Sequence, residues 1–376
     1  MRARHSPANP KCRRAQDRRQ ESLPDWQRCA DAQRDVSPVT RVSQGAPARA
    51  PVDQPLIATV IGDPAGVGPE VCVKALTLDG APCSSRHVLI GSVDAVRLAA
   101  AASGLEPRIR QVGSPREIGA SLSEIAIFDP GSLPKTAWTI GKPGAASGRA
   151  VVEWVRLAER WASEGLIDGW IMAPVDSHSL KLSGQIESID DLQPAGTYLL
   201  RVSPSLRVVP ITEHISITEV PSSVTISAVS ALVALVDETF KRWGVRGARI
   251  GVAGLNPHAM GREDRDAIAP AVERERAVGR QVEGPISPDS IFRLAMEGRY
   301  DVVVSMYHDQ GQIALKTAAF EGACTIYIGL DHVRLTVPHG SAMEIAGKGI
   351  AQHASMASAM KMAESLCAGR GFGGED

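Results

Sequence analysis

Three histidines stand at the ends of apolar runs. His214 closes VVPITEH, His258 follows ARIGVAGLNP, and His308 follows YDVVVSMY. Each run reads as a strand, and each histidine opens the turn after it. Open α/β sheets place their ligands at strand ends. Three imidazoles delivered there can hold a divalent cation and leave one coordination position for a substrate. Asp309 follows His308 directly, and Lys316 lies eight residues beyond that histidine. A carboxylate beside an imidazole can ligate the cation or orient the ring. A lysine can neutralise a phosphate or carboxylate. Taken alone, the same stretch is also an ordinary Asp-x-Gly surface turn.

Two glycine-rich stretches could hold a ligand by their backbones. Gly62–Glu70 (GDPAGVGPE) follows the strand-like LIATV. It has neither the G-x-G-x-x-G spacing nor a P-loop lysine. It reads as a tight strand-to-helix elbow, with Pro69 in the first helical turn and Glu70 beside the helix N-terminus. The functional alternative turns Asp63 toward a cleft. The second stretch, PHGSAMEIAGKGIA, runs from Pro338 to Ala351. Its small residues allow backbone amides close to a phosphate or a planar ligand. Glu344 could accept both hydroxyls of a ribose. Composition alone equally allows a linker.

The elements that must position these groups follow from the pattern. Strands are predicted at LIATVIGD, HVLIGS, EIAIFD, DGWIMAP, LRVVPITEH, ARIGVAGLN, YDVVVSMYHD and CTIYIGL. Helical periodicity lies between them, as in VDAVRLAAAASGL, ASGRAVVEWVRLAERWASEG and SAVSALVALVDETFKRWG. It returns in REDRDAIAPAVERERAVG, SPDSIFRLAMEG and SMASAMKMAESLCAG. Such alternation predicts an α/β fold with a largely parallel sheet and helices on both faces.

At 376 residues, with 44% hydrophobic residues, the chain can build a sizeable core and suggests two lobes. A net charge of −1 supplies no global field for nucleic acid or an anionic membrane. No apolar run approaches the ~18 residues of a membrane-spanning helix. The six cysteines are scattered without a CxxC pair. That argues against a disulfide framework or a thiolate zinc site, and for reduced thiols in a cytoplasmic protein. Residues 1–54 are rich in Arg, Pro, Gln and Ser and are predicted to be a disordered extension. Acids such as Asp17, Glu21 and Asp25 argue against an organelle presequence, and the lack of an apolar core argues against a secretory signal. A nucleic-acid arm is the weaker alternative. Order is predicted over residues 55–376.

Taken together, G-D-P-A-G-V-G-P-E, N-P-H-A, G-P-x-x-x-D-S-I-F, M-Y-H-D-Q-G-x-x-x-L-K and H-G-S-A-x-E-I-A-G-K-G resemble the 4-hydroxythreonine-4-phosphate dehydrogenase family of pyridoxine biosynthesis. The resemblance runs from about Leu56 to about Leu366. The last motif is also similar to the cofactor loop of isopropylmalate and isocitrate dehydrogenases. The resemblance implies a homodimer of two-lobed α/β/α subunits of the isopropylmalate-dehydrogenase-like fold. It implies an interlobe cleft and an active site completed across the dimer interface. The implied reaction is NAD-dependent, metal-dependent oxidation of a secondary alcohol in a hydroxy acid, followed by loss of carbon dioxide from the keto acid.

Carried over by position, His214, His258 and His308 match the metal ligands. Imidazoles favour zinc, cobalt, nickel or iron, and magnesium or manganese enter if carboxylates join. Asp289 and Asp309 match acidic positions near the metal and are the candidate proton acceptors. Lys316 and Arg334 match substrate contacts. His339, Gly340, Ser341, Ala342, Glu344 and Ile345 match the stretch lining the dinucleotide, and the acid at Glu344 favours NAD over NADP.

Several substrate positions depart from the family. Gln185 and Ile186 replace a His-Thr pair, Thr325 replaces an Asn, Ser177 a Lys, and Pro338 an Asp. The loop after N-P-H-A is shortened to Met260-Gly261-Arg262. A pocket built to hydrogen-bond one substrate rejects analogues lacking those groups. The changes therefore suggest the same chemistry on a different substrate, such as a sugar-acid phosphate or an aromatic cis-dihydrodiol carboxylate. The competing class is a non-catalytic member that binds metal or nucleotide without turnover.

Overall fold

The computed structural model describes residues 50–78, 85–119, 124–318 and 322–373. Most of the extension expected at residues 1–54, namely residues 1–49, lies outside the described residues. The strands are β1 (Leu56–Val60), β2 (Arg86–Ile90), β3 (Ile109–Gln111), β4 (Ile125–Phe128), β5 (Gly169–Met172) and β6 (Tyr198–Val202). They continue as β7 (Arg207–Thr212), β8 (Ile250–Ala253), β9 (Val282–Ile286), β10 (Val302–Tyr307), β11 (Cys324–Ile328) and β12 (Val333–Thr336). The α-helices are α1 (Gly68–Thr77), α2 (Val93–Ala102), α3 (Ala145–Ser163), α4 (Ser177–Leu182) and α5 (Val220–Ser223). They continue as α6 (Ile226–Arg242), α7 (Ala269–Ala277), α8 (Ile291–Met296), α9 (His308–Ala318) and α10 (Ala354–Cys367).

All strands join one sheet in the order β3-β4-β2-β1-β5-β12-β11-β6-β7-β10-β8-β9. The mixed α/β fold with a mostly parallel sheet is the one expected. Among the described residues, only the neighbouring pairs β12–β11, β11–β6 and β6–β7 are antiparallel. The two flanking parallel blocks therefore run in opposite senses. Strands such as β1 (LIATV) are buried along their whole length. Cover on both faces of a parallel sheet requires that continuous apolar run. The main core lies beneath α1, α3, α6 and α10. A smaller one, including Val208, Ala253, Phe292, Val303 and Leu315, backs β7, β8 and β10 against α8 and α9. On α3, Val151, Trp154, Val155, Ala158 and Trp161 form the buried stripe. A Cβ at Gly148 would sit 1.9 Å from the Ser179 carbonyl, so only glycine lets α4 dock on that helix.

No helix among the described residues is long and apolar enough to cross a membrane. Cys72, Cys324 and Cys367 are buried. Cys12, Cys29 and Cys83 lie outside the described residues.

Candidate metal centre and active site

β7 and β10 are parallel neighbours with Thr212 opposite Tyr307. The residues that follow them, His214 and His308, therefore emerge side by side. Their ring centroids are 5.2 Å apart. Each ring has an acid at Nδ1. His214 meets Asp190 Oδ2 at 3.1 Å, and His308 meets Asp309 Oδ1 at 2.6 Å. A carboxylate there favours the tautomer protonated at Nδ1 and leaves Nε2 to ligate a cation. Glu213 joins the pair, and one ligand atom from each of Glu213, His214 and His308 lies within 4.8 Å of the others. Buried Arg201 grips Glu213 through two hydrogen bonds of 2.9 and 2.7 Å. The donor chemistry fits a divalent cation. Two imidazoles favour zinc, and the carboxylate widens the choice toward manganese or magnesium.

His258 does not join this cluster within one chain. The turn after β8 is left-handed at His258 (φ 54°) and Ala259 (φ 55°). It leaves the imidazole 72% exposed. Its Nδ1 lies 3.5 Å from Ser287 Oγ and 3.9 Å from Asp289 Oδ2. Two successive non-glycine residues in this region store strain that the surroundings must hold. Asp264, fully buried, does so. It accepts from Leu255 N at 2.7 Å, Gly261 N at 2.8 Å and Asn256 Nδ2 at 2.9 Å. His258, Asp289 and Asp309 line one open cleft of about 540 Å³, whose walls include Leu255, Phe292 and Ile313. The Ser287 hydroxyl donates to Asp289 at 2.6 Å and holds its carboxyl below the usual range, with the His258 charge adding to the effect.

The HDQG stretch is a helix start rather than the Asp-x-Gly turn, because α9 begins at His308 itself. Gln310 is the clamp. Its amide donates to the Gly254 carbonyl at 2.8 Å and accepts from Met306 N at 2.7 Å, tying the ends of β8 and β10 together. A Cβ at Gly311 would stand 2.4 Å from Val208 Cγ1, so glycine sets how closely α9 approaches β7. Lys316 is exposed on the same helix.

The glycine-rich stretch packs against the ends of β1 and β5. Val67 N donates to the Ser341 carbonyl at 2.8 Å, and Ser341 Oγ donates to Asp176 Oδ2 at 2.9 Å. Ala342 is left-handed (φ 41°), the third such non-glycine residue among the described residues, with the pair at the His258 turn. Glu344 is exposed, Gly340 is open to solvent, and Ile345 ends a short helical turn. His339 Nε2 is buried without a partner, and burial lowers the imidazole pKa. Farther along, Glu70 and Lys74 are buried and paired at 2.8 Å. Lys74 Nζ donates to the Gly349 and Ala351 carbonyls, both at 2.9 Å, and Ala351 N donates to Glu70 at 2.7 Å. Glu70 is thus a clamp on this loop rather than a simple partner of the helix dipole.

Asp63 is fully buried at the elbow, with Oδ1 accepting from Ala65 N at 2.9 Å and Oδ2 unpartnered. Burial pushes its carboxyl from 3.8 up to about 6, against the lowering effect of the Ala65 hydrogen bond. The folded chain then holds this proton more tightly than the unfolded chain. Stability is therefore lost as pH rises from about 4 through about 6, by ~3 kcal/mol in total. We predict that Asp63→Asn removes this dependence, so that its advantage in melting temperature over wild type grows between pH 4 and pH 7. Parallel melting curves for the two proteins would remove the argument.

The remaining substrate candidates sit deeper than expected. Arg334 is 1% exposed, lies between the Trp170 and Tyr327 rings, and donates to the Leu192 carbonyl at 2.6 Å. Its Nε is buried without a partner. Thr325 is buried inside β11 opposite Thr336. Gln185 accepts from Arg156 at 3.3 Å, turned toward α3, and Ile186 packs on the core. The segment 176–192 instead contributes its acids. Asp176 binds Ser341 at one end and Asp190 binds His214 at the other. One segment therefore connects the glycine-rich loop to the histidine pair. Asp176, Asp190, Asp264 and Gln310 carry no local sequence signal, because their roles depend on partners brought by other elements.

The family description "Pyridoxal phosphate biosynthetic protein PdxA" matches residues 84–363. A protein of Novosphingobium aromaticivorans, named provisionally as a 4-hydroxythreonine-4-phosphate dehydrogenase, is 40% identical over 85% of this chain and 97% of its own length. A D-threonate 4-phosphate dehydrogenase of Cupriavidus necator is 34% identical over 84% of this chain and 98% of its own length. Among solved structures, the 4-hydroxythreonine-4-phosphate dehydrogenase of Klebsiella pneumoniae superposes with a TM-score of 0.74 at 32% identity, covering 84% of this chain and all of that one. A terephthalate 1,2-cis-dihydrodiol dehydrogenase of Burkholderia xenovorans LB400 gives 0.61 at 29% identity, covering 83% of this chain and 98% of that one. With a match spanning most of its length, and with elbow, histidine pair and glycine-rich loop in one folded unit, the chain belongs to the PdxA family.

Proposed function

We propose that this chain is an NAD-dependent, divalent-metal-dependent dehydrogenase acting on a secondary alcohol of a phosphorylated hydroxy acid, with loss of carbon dioxide from the keto acid. The observation that carries the proposal is the His214–His308 pair, with both Nδ1 atoms held by carboxylates. When bound, the cation supplies Lewis acidity toward the substrate hydroxyl and the nicotinamide accepts the hydride. His214, His308 and Glu213 would hold the cation. His258 completes the set from a second copy of the chain. Its exposure, its rigid strained turn and the neighbouring Met260 (71% exposed) and Ile313 (65% exposed) suit a homodimer interface. The two parallel blocks serve as the two lobes beside this site.

The dinucleotide reading rests on the loop from His339 to Ile345. The orphaned His339 Nε2 and the left-handed Ala342 mark a surface shaped for more than packing. Exposed Glu344 suits ribose hydroxyls. Lys316, about 12 Å along α9 from His308 at 1.5 Å per residue, would bind the anionic end of the substrate. Asp309 is committed to His308. Asp289 lines the same cleft without contacting the His214–His308 pair and is the other candidate to take the hydroxyl proton.

The test is dialysis against a chelator followed by spectrophotometric NADH formation. Substrates would include 4-hydroxythreonine 4-phosphate, D-threonate 4-phosphate and an aromatic cis-dihydrodiol carboxylate. Turnover of a phosphorylated substrate, lost with the cation and restored by zinc or manganese, is the expected result. Metal binding without turnover of any of them would favour the non-catalytic class. Asp190→Ala is predicted to weaken cation affinity about 10- to 100-fold while leaving the melting temperature of the chelated protein nearly unchanged. Competition with a zinc indicator measures this, and unchanged affinity would remove Asp190 from the centre.

A further inference from the structure

Away from the histidines, the outer face of α3 carries Arg149, Glu153, Arg156 and Arg160. Their spacing places all four on one side of the helix. With Ser132, Leu133, Pro134, Ala137, Ala146 and Gln185 they line an open cleft of about 490 Å³, the size of a small-molecule site. None of these residues lines the His258 cleft. The three arginines are exposed, and none has a carboxylate within 4.0 Å among the described residues. Elsewhere the chain pairs its arginines freely, as in Arg201–Glu213, Arg249–Asp301 and Arg280–Glu275. Here three like charges share one cleft, and among the described residues Arg156 alone bonds a cleft neighbour, the Gln185 amide oxygen at 3.3 Å.

We infer that this cleft binds a small molecule with anionic groups at both ends and hydroxylated carbons between them, the chemistry of a sugar bisphosphate. Arg156 and Arg160 start about 6 Å apart along the helix, close enough to share one phosphate. Arg149 starts about 10 Å from Arg156 and takes the second. Glu153 lies between them, where a carboxylate repels phosphate but accepts from hydroxyls. Guanidinium forks match phosphate oxygens in pairs. Leu133, Pro134 and Ala137 supply an apolar wall.

Isothermal titration calorimetry on the full chain, with fructose 1,6-bisphosphate and with inorganic phosphate, tests the inference. The bisphosphate is expected to bind once per chain. Arg156→Ala should weaken it about tenfold or more, the weight of a charge-assisted hydrogen bond. Arg149→Ala should weaken the bisphosphate more than inorganic phosphate. Glu153→Gln should tighten inorganic phosphate, because the repelling charge is gone while an acceptor remains. His308→Ala should bind as wild type does, which separates this cleft from the proposed catalytic site. These surface substitutions should melt with wild type, so lost binding is not lost fold. No saturable binding, equal binding in the arginine variants, or loss in His308→Ala would each overturn the inference.

Discussion

His308→Ala is expected to lower kcat for NADH formation by about 10³-fold and to abolish tight cation retention. Lewis acidity contributes several kcal/mol to such a reaction, at 1.36 kcal/mol per tenfold. His308 faces His214 across 5.2 Å, and its Nδ1 is fixed by Asp309, so no nearby imidazole can substitute for it. The fold should survive. The ring begins α9 rather than filling a core, and Gln310 and Gly311 keep that helix against β7, β8 and β10. Metal analysis after gel filtration, with a melting curve, separates the two effects. A variant that melts like wild type and keeps full turnover would refute metal-assisted oxidation at this histidine.

Asp264→Ala is expected to cost about 3–5 kcal/mol of stability. Its carboxylate accepts from three N–H groups, at Leu255, Asn256 and Gly261. Each buried donor left unpaired costs roughly 1–3 kcal/mol, offset in part because relaxation lets water reach some of them. For a domain of this size the melting temperature should fall by roughly 5–10 °C. Activity should fall further, by about 10²-fold, because the strained turn that presents His258 relaxes and the ring moves. Asp264→Asn keeps an acceptor and should lose about half as much stability. Unchanged melting and turnover in the alanine variant would show that the His258 turn needs no anchor.

Much of this arrangement could be read from the chain. Apolar runs ending in histidine marked β7, β8 and β10, and the glycine-rich stretches marked the elbow and the loop. Strands β6 and β12 escaped because each carries an arginine, Arg201 or Arg334, that breaks the apolar run. Both arginines are buried because partners from elsewhere meet them: Glu213 for the first, and two aromatic rings, Glu159 and the Leu192 carbonyl for the second. β3 is three residues long and β9 carries Gly284 and Pro285, so neither shows a strand period. Helix α9 was hidden because its first residues, HDQG, have turn composition. Strand-end position predicted that His214 and His308 would meet. It could not predict that His258 turns outward, since that depends on two left-handed residues and a buried aspartate nine residues beyond Leu255.

That outward turn is the point on which the account depends: a cation site made of His214 and His308 from one copy and His258 from another. Mixing separately inactive His258→Ala and His308→Ala proteins, with unfolding and refolding to exchange chains, tests it directly. In a twofold dimer with shared sites, each mixed dimer regains one intact site, so an equal mixture should recover about a quarter of wild-type turnover. If the mixture of well-folded, exchanged chains stays as inactive as its components, His258 does not act across the interface and the shared centre is wrong.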